Sequence, residues 1–391
     1  MDIEFRFEAR EGDDSSHDEL RTLYAHLGGD FELQRHARIS VRRESLQSGE
    51  LGAAEVVLAA VSAGLGVGRL AIAIRAWRDA MNHPTALALT GRSSGYALAD
   101  NDPGRVFPVE LGDPEELNVA ADTALTLRGT DGRPYGGRID GEGMVVEPGT
   151  DTVLVGSEKG PSIRRFRLSD GHEVGTPLPI PEKLRTEPFG GAHQGRTTES
   201  LAATADGRYL YAGWEAPLND DGDQRGRNRL RIQRYHGEPG GNYVPDRQCA
   251  YETSTGMYLA ELAVTEQDRL LALERQYVEG LGNTVRVVEL RLTDDKDVTN
   301  TPALAEVSAD VFVRSSLLFS LGDCPAGGPE VVAGKQRQPN PLLENVEGMA
   351  VGPEEADGPA KGSRLLYLIS DDNENNAQIT RLYTFRIRLT E

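Results

Sequence analysis

The chain has 391 residues and carries 42 basic and 62 acidic side chains, for a formal charge of −20 at pH 7. A surface of that sign repels phosphate backbones and anionic lipid, which excludes nucleic acid and membrane surfaces as general partners. One core seldom grows past about 250 to 300 residues, so the length favours two domains. The 44 glycines and 21 prolines favour a turn-rich, β-rich architecture.

The two cysteines, Cys249 and Cys324, lack the spacing of a zinc site or a disulfide framework, so we expect both to be reduced. Residues 1–8 alternate charged and apolar side chains. They contain neither the basic region nor the apolar region of a secretion signal, so the sequence predicts a cytoplasmic protein.

Residues 1–100 predict a small two-layer α/β domain. Apolar and charged side chains alternate over 3–7, which is the period of a half-buried strand, and 39–41 predicts a second strand. Between these strands, 16–27 has the capping residues and the apolar spacing of a helix.

The most apolar stretch of the chain runs from 53 to 77. Its longest uncharged piece, 56–68, covers 13 residues, whereas a membrane-spanning helix needs about 20. Glycines within 64–68 predict that the stretch breaks into two helices, the second reaching residue 82. Two short strands are then expected at 85–90 and 96–99.

The order of these elements, together with three motifs, resembles the effector-associated constant component family. The motifs are the helical segment 18–24, the turn 49–52 and the glycine-interrupted apolar stretch that follows. Members of that family lie at the N-terminus of varied effector domains in bacterial systems built around signalling NTPases, and they act as adaptors. The resemblance therefore implies that residues 1–100 dock the chain to a protein partner.

A second, all-β domain is predicted over 117–391, after a linker at 101–116 that is marked by prolines and an acidic cluster. Short apolar runs alternate there with turns rich in Gly, Asp and Asn, and no long helical period occurs. The dipeptide Asp206-Gly207 between two such runs is typical of a β-hairpin.

A repeated unit organises this second domain. Each copy begins with a glutamate before an apolar strand and ends its second strand on another carboxylate. The first glutamates are Glu142, Glu199, Glu261 and Glu347, which lie 57, 62 and 86 residues apart. Such periods are typical of propellers, so the sequence predicts a β-propeller of about five to seven blades, with one blade between 117 and 139.

The same position of each repeat recurs around the central channel of a propeller, so the four first glutamates are expected to converge. Like charges that meet in a channel raise each other's pKa unless a cation neutralises them. Ca²⁺ accepts roughly six to eight oxygen ligands in flexible geometry, and a calcium site is predicted at Glu142, Glu199, Glu261 and Glu347. The open structural alternative is that these side chains only hold the blades together.

A second set of carboxylates ends the following strands, and its members are Glu158, Glu215, Glu274 and Asp371. One interpretation is that they contact substrate or support the metal ligands. The other is that each accepts backbone N–H groups of the next blade and closes the ring.

Other polar residues complete the predicted site. His193 lies six residues before Glu199 and is the best-placed histidine for general acid or base chemistry, although a surface role is the alternative. The predicted catalytic residues are therefore His193, Glu199 and Glu347. The predicted contacts for an anionic substrate are Lys159, Arg196, Arg275 and Lys335.

Several motifs in order across 135–391 resemble the esterase-like phytase family, a group of β-propellers. They are Asp140-Gly141-Glu142-Gly143, Ser157-Glu158, Pro177-Leu178-Pro179, Glu199-Ser200-Leu201-Ala202, Leu273-Glu274-Arg275, Glu347-Gly348-Met349-Ala350 and Ser370-Asp371-Asp372-Asn373. The resemblance implies hydrolysis of phosphate or carboxylate esters, including phytate. Members of that family are often exported, whereas this sequence predicts a cytoplasmic protein with an adaptor domain.

Two hypotheses for the function are open at this point. The first is a metal-assisted hydrolase of a small phosphorylated or ester substrate, with a carboxylate or His193 as the base. The second is a non-catalytic propeller that binds a ligand or a protein as the effector arm of a bacterial conflict system.

Overall fold

The computed structural model describes residues 2–5, 37–44, 54–61, 84–90, 94–100, 103–111, 117–119, 123–266, 268–292, 297–325, 334–357, 360–373, 375 and 377–389. The chain divides into two compact units, Met1–Asn82 and His83–Glu391. Among the described residues, no helix is long and apolar enough to span a bilayer.

The described part of the first unit is an antiparallel sheet in the order β1-β3-β2. Its strands are β1 (Asp2–Phe5), β2 (Ala37–Glu44) and β3 (Ala54–Val61). The strands predicted near residues 3 and 39 are confirmed.

Strand β3 corrects one expectation, because the apolar segment 54–61 was predicted to begin a helix. A short apolar run has no periodicity that separates a helix from a buried strand. Pairing with β1 on one side and β2 on the other makes this segment the central strand. The helices predicted at 16–27 and 70–82 lie outside the described residues.

The second unit is a five-bladed β-propeller, and each blade is an antiparallel sheet. The first blade consists of β4 (Pro84–Leu89), β5 (Ser94–Ala99), β6 (Arg105–Leu111), β7 (Leu117–Val119) and β8 (Leu125–Thr126). The second blade consists of β9 (Gly141–Val146), β10 (Thr152–Ser157) and β11 (Ser162–Arg167).

The remaining three blades follow in chain order. The third consists of β12 (Thr198–Ala203), β13 (Tyr209–Trp214), β14 (Asp223–Gln224), β15 (Arg227–His236) and β16 (Val244–Glu252). The fourth consists of β17 (Tyr258–Glu266), β18 (Arg269–Val278), β19 (Gly282–Arg291) and β20 (Arg314–Ser320). The fifth consists of β21 (Asn345–Val351), β22 (Arg364–Asp371) and β23 (Leu382–Ile387).

The propeller also contains five short 3-10 segments of three residues each among its described residues. They are Gly136–Arg138, Glu182–Leu184, Leu304–Glu306, Ala309–Val311 and Leu321–Asp323.

The innermost strands form a closed ring around the axis, since each contacts the next in the order β4, β9, β12, β17 and β21, and β21 contacts β4. The strands expected at 85–90 and 96–99 are therefore the two inner strands of the first blade. Segment 117–139, where a blade was expected, instead supplies the outer strands β7 and β8.

The hydrophobic core lies between neighbouring blades. Leu201 packs in the layer between the second and third blades, Leu262 in the next layer and Met349 in the layer between the fourth and fifth. Leu87 and Tyr367 share the layer that joins the fifth blade back to the first. This continuous packing fixes the five inner strands, and with them the channel.

Candidate functional site

A β-bulge interrupts the pairing of every innermost strand near its beginning. In β12, Thr198 and Ser200 pair with consecutive residues of β13, so Glu199 between them is the extra residue. A bulge re-aims its extra side chain, and bulges are frequent beside active sites. The residues at this bulge position are Thr85, Glu142, Glu199, Ala260 and Glu347.

In four blades the second strand ends opposite the bulge, and the register identifies a second set of equivalent residues there in all five blades. The residues at this strand-end position are Asp100, Glu158, Glu215, Arg275 and Asp371. Four blades therefore have a carboxylate at this position, whereas the fourth blade has an arginine there and its second strand continues to Val278.

Glu261 and Glu274 lie one residue away from these two positions, although their spacing in the sequence grouped them with the other carboxylates. Because a shift of one residue turns a strand side chain to the opposite face, they serve a different purpose. Glu261 is 2% exposed and accepts the backbone N–H of Leu201 in the third blade. Glu274 is fully buried and accepts the Tyr251 hydroxyl and the Ser254 N–H. The observed contacts of these two residues therefore fit the alternative in which the carboxylates hold the blades together.

Arg275 joins carboxylates from two other blades. Its Nη2 atom lies 3.0 Å from Glu347 Oε1, 3.2 Å from Glu199 Oε1 and 3.8 Å from Glu215 Oε1. Its Nη1 atom donates to Asn345 Oδ1 at 3.2 Å, and the Asn345 amide in turn donates to Glu347 at 2.9 Å. One guanidinium is thus shared by three carboxylates.

Burial and mutual repulsion raise the pKa of several of these carboxyls. The pKa of Glu142 lies well above its ordinary value because of burial and the charges of Glu199 and Glu347. Burial also raises the pKa of Glu199 well above its ordinary value, against the opposing effect of Arg275. Burial raises the pKa of Glu158 to about 7, although the Thr197 N–H donates to its Oε1 at 2.7 Å. Carboxyls with such pKa values are typical of functional sites.

Two groups of three carboxylates could hold a metal ion, since the ligand oxygens within each group lie within 4.8 Å of one another. The groups are Asp100, Asp140 and Glu142, and Glu158, Glu199 and Glu215. Hard oxygen donors of this kind fit Ca²⁺ better than Zn²⁺.

The first of these groups fits a cation better than the second. In the described part of the chain, no side-chain hydrogen bond or ion pair joins Glu142 to a basic group, and Asp140 has a half-exposed partner, Lys159, at 3.6 Å. In the second group, Arg275 already lies against Glu199 and Glu215.

The basic residues predicted to contact substrate divide into two sets. Lys159 and Arg275 touch the carboxylates, and Arg196 lies 3.9 Å from Glu215 with its guanidinium over the Tyr258 ring. Lys335 is exposed, and its backbone N–H donates to the carbonyl oxygen of Ala377. The structure brings the first three together with the carboxylates.

His193 is exposed on the loop before β12. Across the described residues, no hydrogen bond or ion pair joins its side chain to the carboxylates. The structure brings Glu142, Glu199 and Glu347 together. Glu261 lies one residue past the equivalent position of its strand, and His193 lies on the loop outside the group.

Gly143 lets the second and third blades approach closely beside Glu142. A Cβ atom at this position would overlap the backbone of Leu201 and Ser200 in β12. The glycine after this glutamate therefore serves the packing that positions the glutamate.

The opposite end of the channel is a cavity of about 820 Å³ lined by the C-terminal halves of all five innermost strands. Half-buried apolar side chains occupy the same place in each strand, namely Leu89, Val146, Ala203, Val264 and Val351. At the rim, Arg165 donates to both carboxylate oxygens of Glu147, at 2.6 and 2.9 Å.

A family model described as esterase-like activity of phytase matches residues 85–374, which is most of the chain and extends from the first blade into the fifth. The chain belongs to the phytase-like family. A second model, Effector Associated Constant Component 1, matches residues 11–103 of this phytase-like chain. The family description, together with the five-bladed fold, supports a hydrolase-type propeller.

Solved structures similar to the phytase-like chain have low identity. A periplasmic gluconolactonase of Pseudomonas aeruginosa is 11% identical over 78% of this chain and 85% of its own, with a TM-score of 0.31. The major allergen Mala s 1 of Malassezia sympodialis is 9% identical over 78% and 92%, with a TM-score of 0.39. The hydrazine synthase of Kuenenia stuttgartiensis is 11% identical over 74% and 77%, with a TM-score of 0.33. These values carry no conclusion about activity, and no curated protein matches the chain.

Asp100 and Asp140 were not predicted as site residues from the sequence, although each had a partial signal there. Asp100 ends an apolar strand as Glu158 does, which would have identified the first blade. Asp140 stands two residues before Glu142 in a motif already noted. Glu158 was noted as a carboxylate at a strand end, but its raised pKa depends on burial, which spacing does not reveal.

Proposed function

We propose that this chain is a metal-assisted hydrolase of small phosphorylated or ester substrates, and that its first unit, Met1–Asn82, docks it to a protein partner in a bacterial effector system. Its reaction centre is the acidic end of the central channel. The observation that carries the proposal is the convergence of bulge and strand-end carboxylates on Arg275 within a phytase-like chain.

Glu158 is the best candidate for general acid or base chemistry. A carboxyl with a pKa of about 7 is present in both protonation states near neutral pH, which is the condition for efficient proton transfer. The Thr197 N–H holds one oxygen of Glu158 and leaves the other for a reacting group. Glu199 and Glu347, held by Arg275, are then positioned to orient the substrate, and His193 stays the alternative base.

Asp100, Asp140 and Glu142 would hold the metal, with Ca²⁺ as the ion that suits their oxygens. When bound, such an ion polarises a phosphoryl or acyl oxygen and lowers the pKa of water. Burial and the repulsion of neighbouring carboxylates together raise the pKa of Glu142, and a cation at this place would remove the repulsion.

An anionic substrate needs positive groups beside these carboxylates. Lys159 and Arg196 are each half-exposed at the edge of the carboxylate cluster, where they can reach a phosphate or carboxylate group. Arg275 lies deeper and is already shared by three glutamates. Lys335 remains a proposed contact for the outer part of a larger substrate.

Hydrolysis of phytate, an aryl phosphate and an aryl acetate by the full chain tests the proposal. We expect turnover of at least one substrate, its loss in EDTA and its return with CaCl₂. Glu142→Gln and Glu199→Gln should each lower kcat/KM at least about 100-fold, the range of a lost acid, base or metal ligand. Glu238→Gln, an exposed glutamate, is the matched control. Absence of turnover on all three substrates, or full activity in Glu199→Gln and Glu347→Gln, would contradict the proposal.

The match of residues 11–103 to the effector-associated model favours a second candidate, a non-catalytic propeller that presents a binding surface in an effector complex. Capture from a bacterial lysate with the full chain and with residues 83–391 separates the docking role from the propeller. A partner retained by the full chain alone supports docking through the first unit. Equal retention by both chains would place the binding surface on the propeller.

A further inference from the structure

The fourth blade departs from the second, third and fifth blades at both positions of the carboxylate cluster. Glutamate occupies the bulge position in the second, third and fifth blades, and each of those blades adds a carboxylate at its strand end. In the fourth blade, the bulge residue is Ala260 and the strand-end residue is Arg275. This blade therefore contributes a positive charge where each of those three contributes two acidic groups.

Arg275, which replaces a carboxylate in the fourth blade, contacts carboxylates of two other blades. Its Nη2 atom approaches Glu347 of the fifth blade and both Glu199 and Glu215 of the third within 3.0 to 3.8 Å. An arginine that serves one partner forms a two-pronged pair, as Arg165 does with Glu147. Arg275 instead presents one nitrogen to three carboxylates, which is how a shared counter-ion is arranged.

We propose that Arg275 is a built-in counter-ion that takes the place of a metal ion on the side of the channel formed by the third, fourth and fifth blades. It thereby restricts a divalent cation to the Asp100, Asp140 and Glu142 side. Arg275 is thus a positioning residue that selects where the metal sits. The restriction of the metal rests on the proposed function, whereas the counter-ion role does not.

Removal of this arginine should expose a latent oxygen site. Glu199 and Glu215 already lie within 4.8 Å of each other and of Glu158, so oxygen donors for a cation are in place beneath the guanidinium. Without the arginine, three carboxylates with little exposure to water would repel one another, and they would have to take up protons or a cation.

Thermal unfolding of the full chain at about pH 5 and about pH 8, with and without millimolar CaCl₂, tests the proposal. In Arg275→Gln, the glutamates become harder to ionise, so stability is lost as the pH rises. We expect its Tm to fall by about 5 °C or more at the higher pH and by less at the lower pH. CaCl₂ should restore more of the Tm in this variant than it adds to the wild type, because it binds only the folded site.

Two companion variants separate charge from packing. Arg275→Lys keeps the positive charge and should retain most of the Tm at the higher pH. Arg208→Gln removes an exposed arginine and should change the Tm little at either pH. Equal losses for Arg275→Gln at both pH values, no greater response to CaCl₂ than the wild type, and no rescue by lysine would together overturn the proposal.

Glu347→Gln keeps the proposal testable if Arg275→Gln does not fold. If one arginine is shared by three carboxylates, removal of one carboxylate reduces the repulsion among them. The Tm of Glu347→Gln at about pH 8 should therefore be unchanged or higher. A simple ion pair would lose stability instead, and a fall in Tm would overturn the proposal. Because these measurements use no substrate, absence of hydrolysis would contradict only the proposed function.

Discussion

The same five strands build both ends of the channel, but buried carboxylates are fully paired at one end and share too few basic partners at the other. At the cavity end, Glu147 is 1% exposed and receives two hydrogen bonds from Arg165 and a third from the Gly240 N–H. At the acidic end, one arginine is shared by three glutamates, and Glu142 gains no basic partner among the described residues. The first end is balanced, whereas the second carries an excess of negative charge.

That difference supports the acidic end of the channel as the proposed reaction centre. A buried charge without compensation costs stability, and folded proteins keep such groups chiefly where a ligand or a reaction needs them. The paired Glu147 has the properties of a structural element that ties β9 to the neighbouring blade. The acidic end has the properties of a site that is completed by a cation or a substrate.

Loss of the balanced pair should give the largest change in stability. Arg165→Gln leaves Glu147 buried without its counter-charge, and we expect the free energy of unfolding to fall by about 3 to 5 kcal/mol. Urea denaturation measures this change. The hydrolysis proposed for the other end should be unaltered per folded molecule.

The neighbouring residue Arg164 provides the matched control for that prediction. Its side chain is 28% exposed and pairs at 2.7 Å with Glu173, which also accepts the Tyr135 hydroxyl. Because water reaches Arg164 and Glu173 keeps the Tyr135 hydroxyl as a donor, Arg164→Gln should cost less, about 1 kcal/mol. Equal losses for the two variants would show that the cavity end is not specially dependent on its buried pair.

Glu158→Gln should have a smaller effect with the opposite sign. The folded-state pKa of Glu158, about 7, exceeds the ordinary value of about 4.3, so its ionisation weakens the folded state as the pH rises through about 7. The amide can still accept the Thr197 N–H. We expect the Tm of the variant to exceed that of the wild type by a few degrees at about pH 8 and to equal it at about pH 4. A lower Tm at both values would mean that this carboxylate stabilises the blade.

The sequence repeat predicted much of the acidic end of the channel. The glutamates at 142, 199 and 347 mark the inner strands of three blades, and their convergence on the channel follows from the repeat alone. The propeller itself was expected, and five blades lie within the predicted range. Lys159 and Arg275, which follow Glu158 and Glu274 in the sequence, also lie near carboxylates in the structure, whereas their contact with a substrate stays a prediction.

The residues that the first and fourth blades contribute could not be predicted, because they depend on strand register, which the spacing of residues in the sequence does not reveal. The first blade has Thr85 at its bulge, so the glutamate that marks other blades is missing and its strands were assigned to the first domain. In the fourth blade, a glutamate stands next to the bulge, at position 261, and was counted as a member of the ring. Only the pairing of β17 with β18 shows that Ala260 and Arg275 hold the equivalent positions.

His193 provides the smallest expected effect and marks the outer limit of the acidic end. Its side chain is exposed on the loop before β12, whereas Glu158 already lies among the carboxylates with a pKa of about 7. We therefore expect His193→Asn to change kcat/KM by no more than about threefold, as does His236→Asn at another exposed position. Loss of a general acid or base costs about 100-fold or more, so a fall of that size would make His193 the base. The proton transfer would then involve the loop, and the functional region would extend beyond the ring of strands.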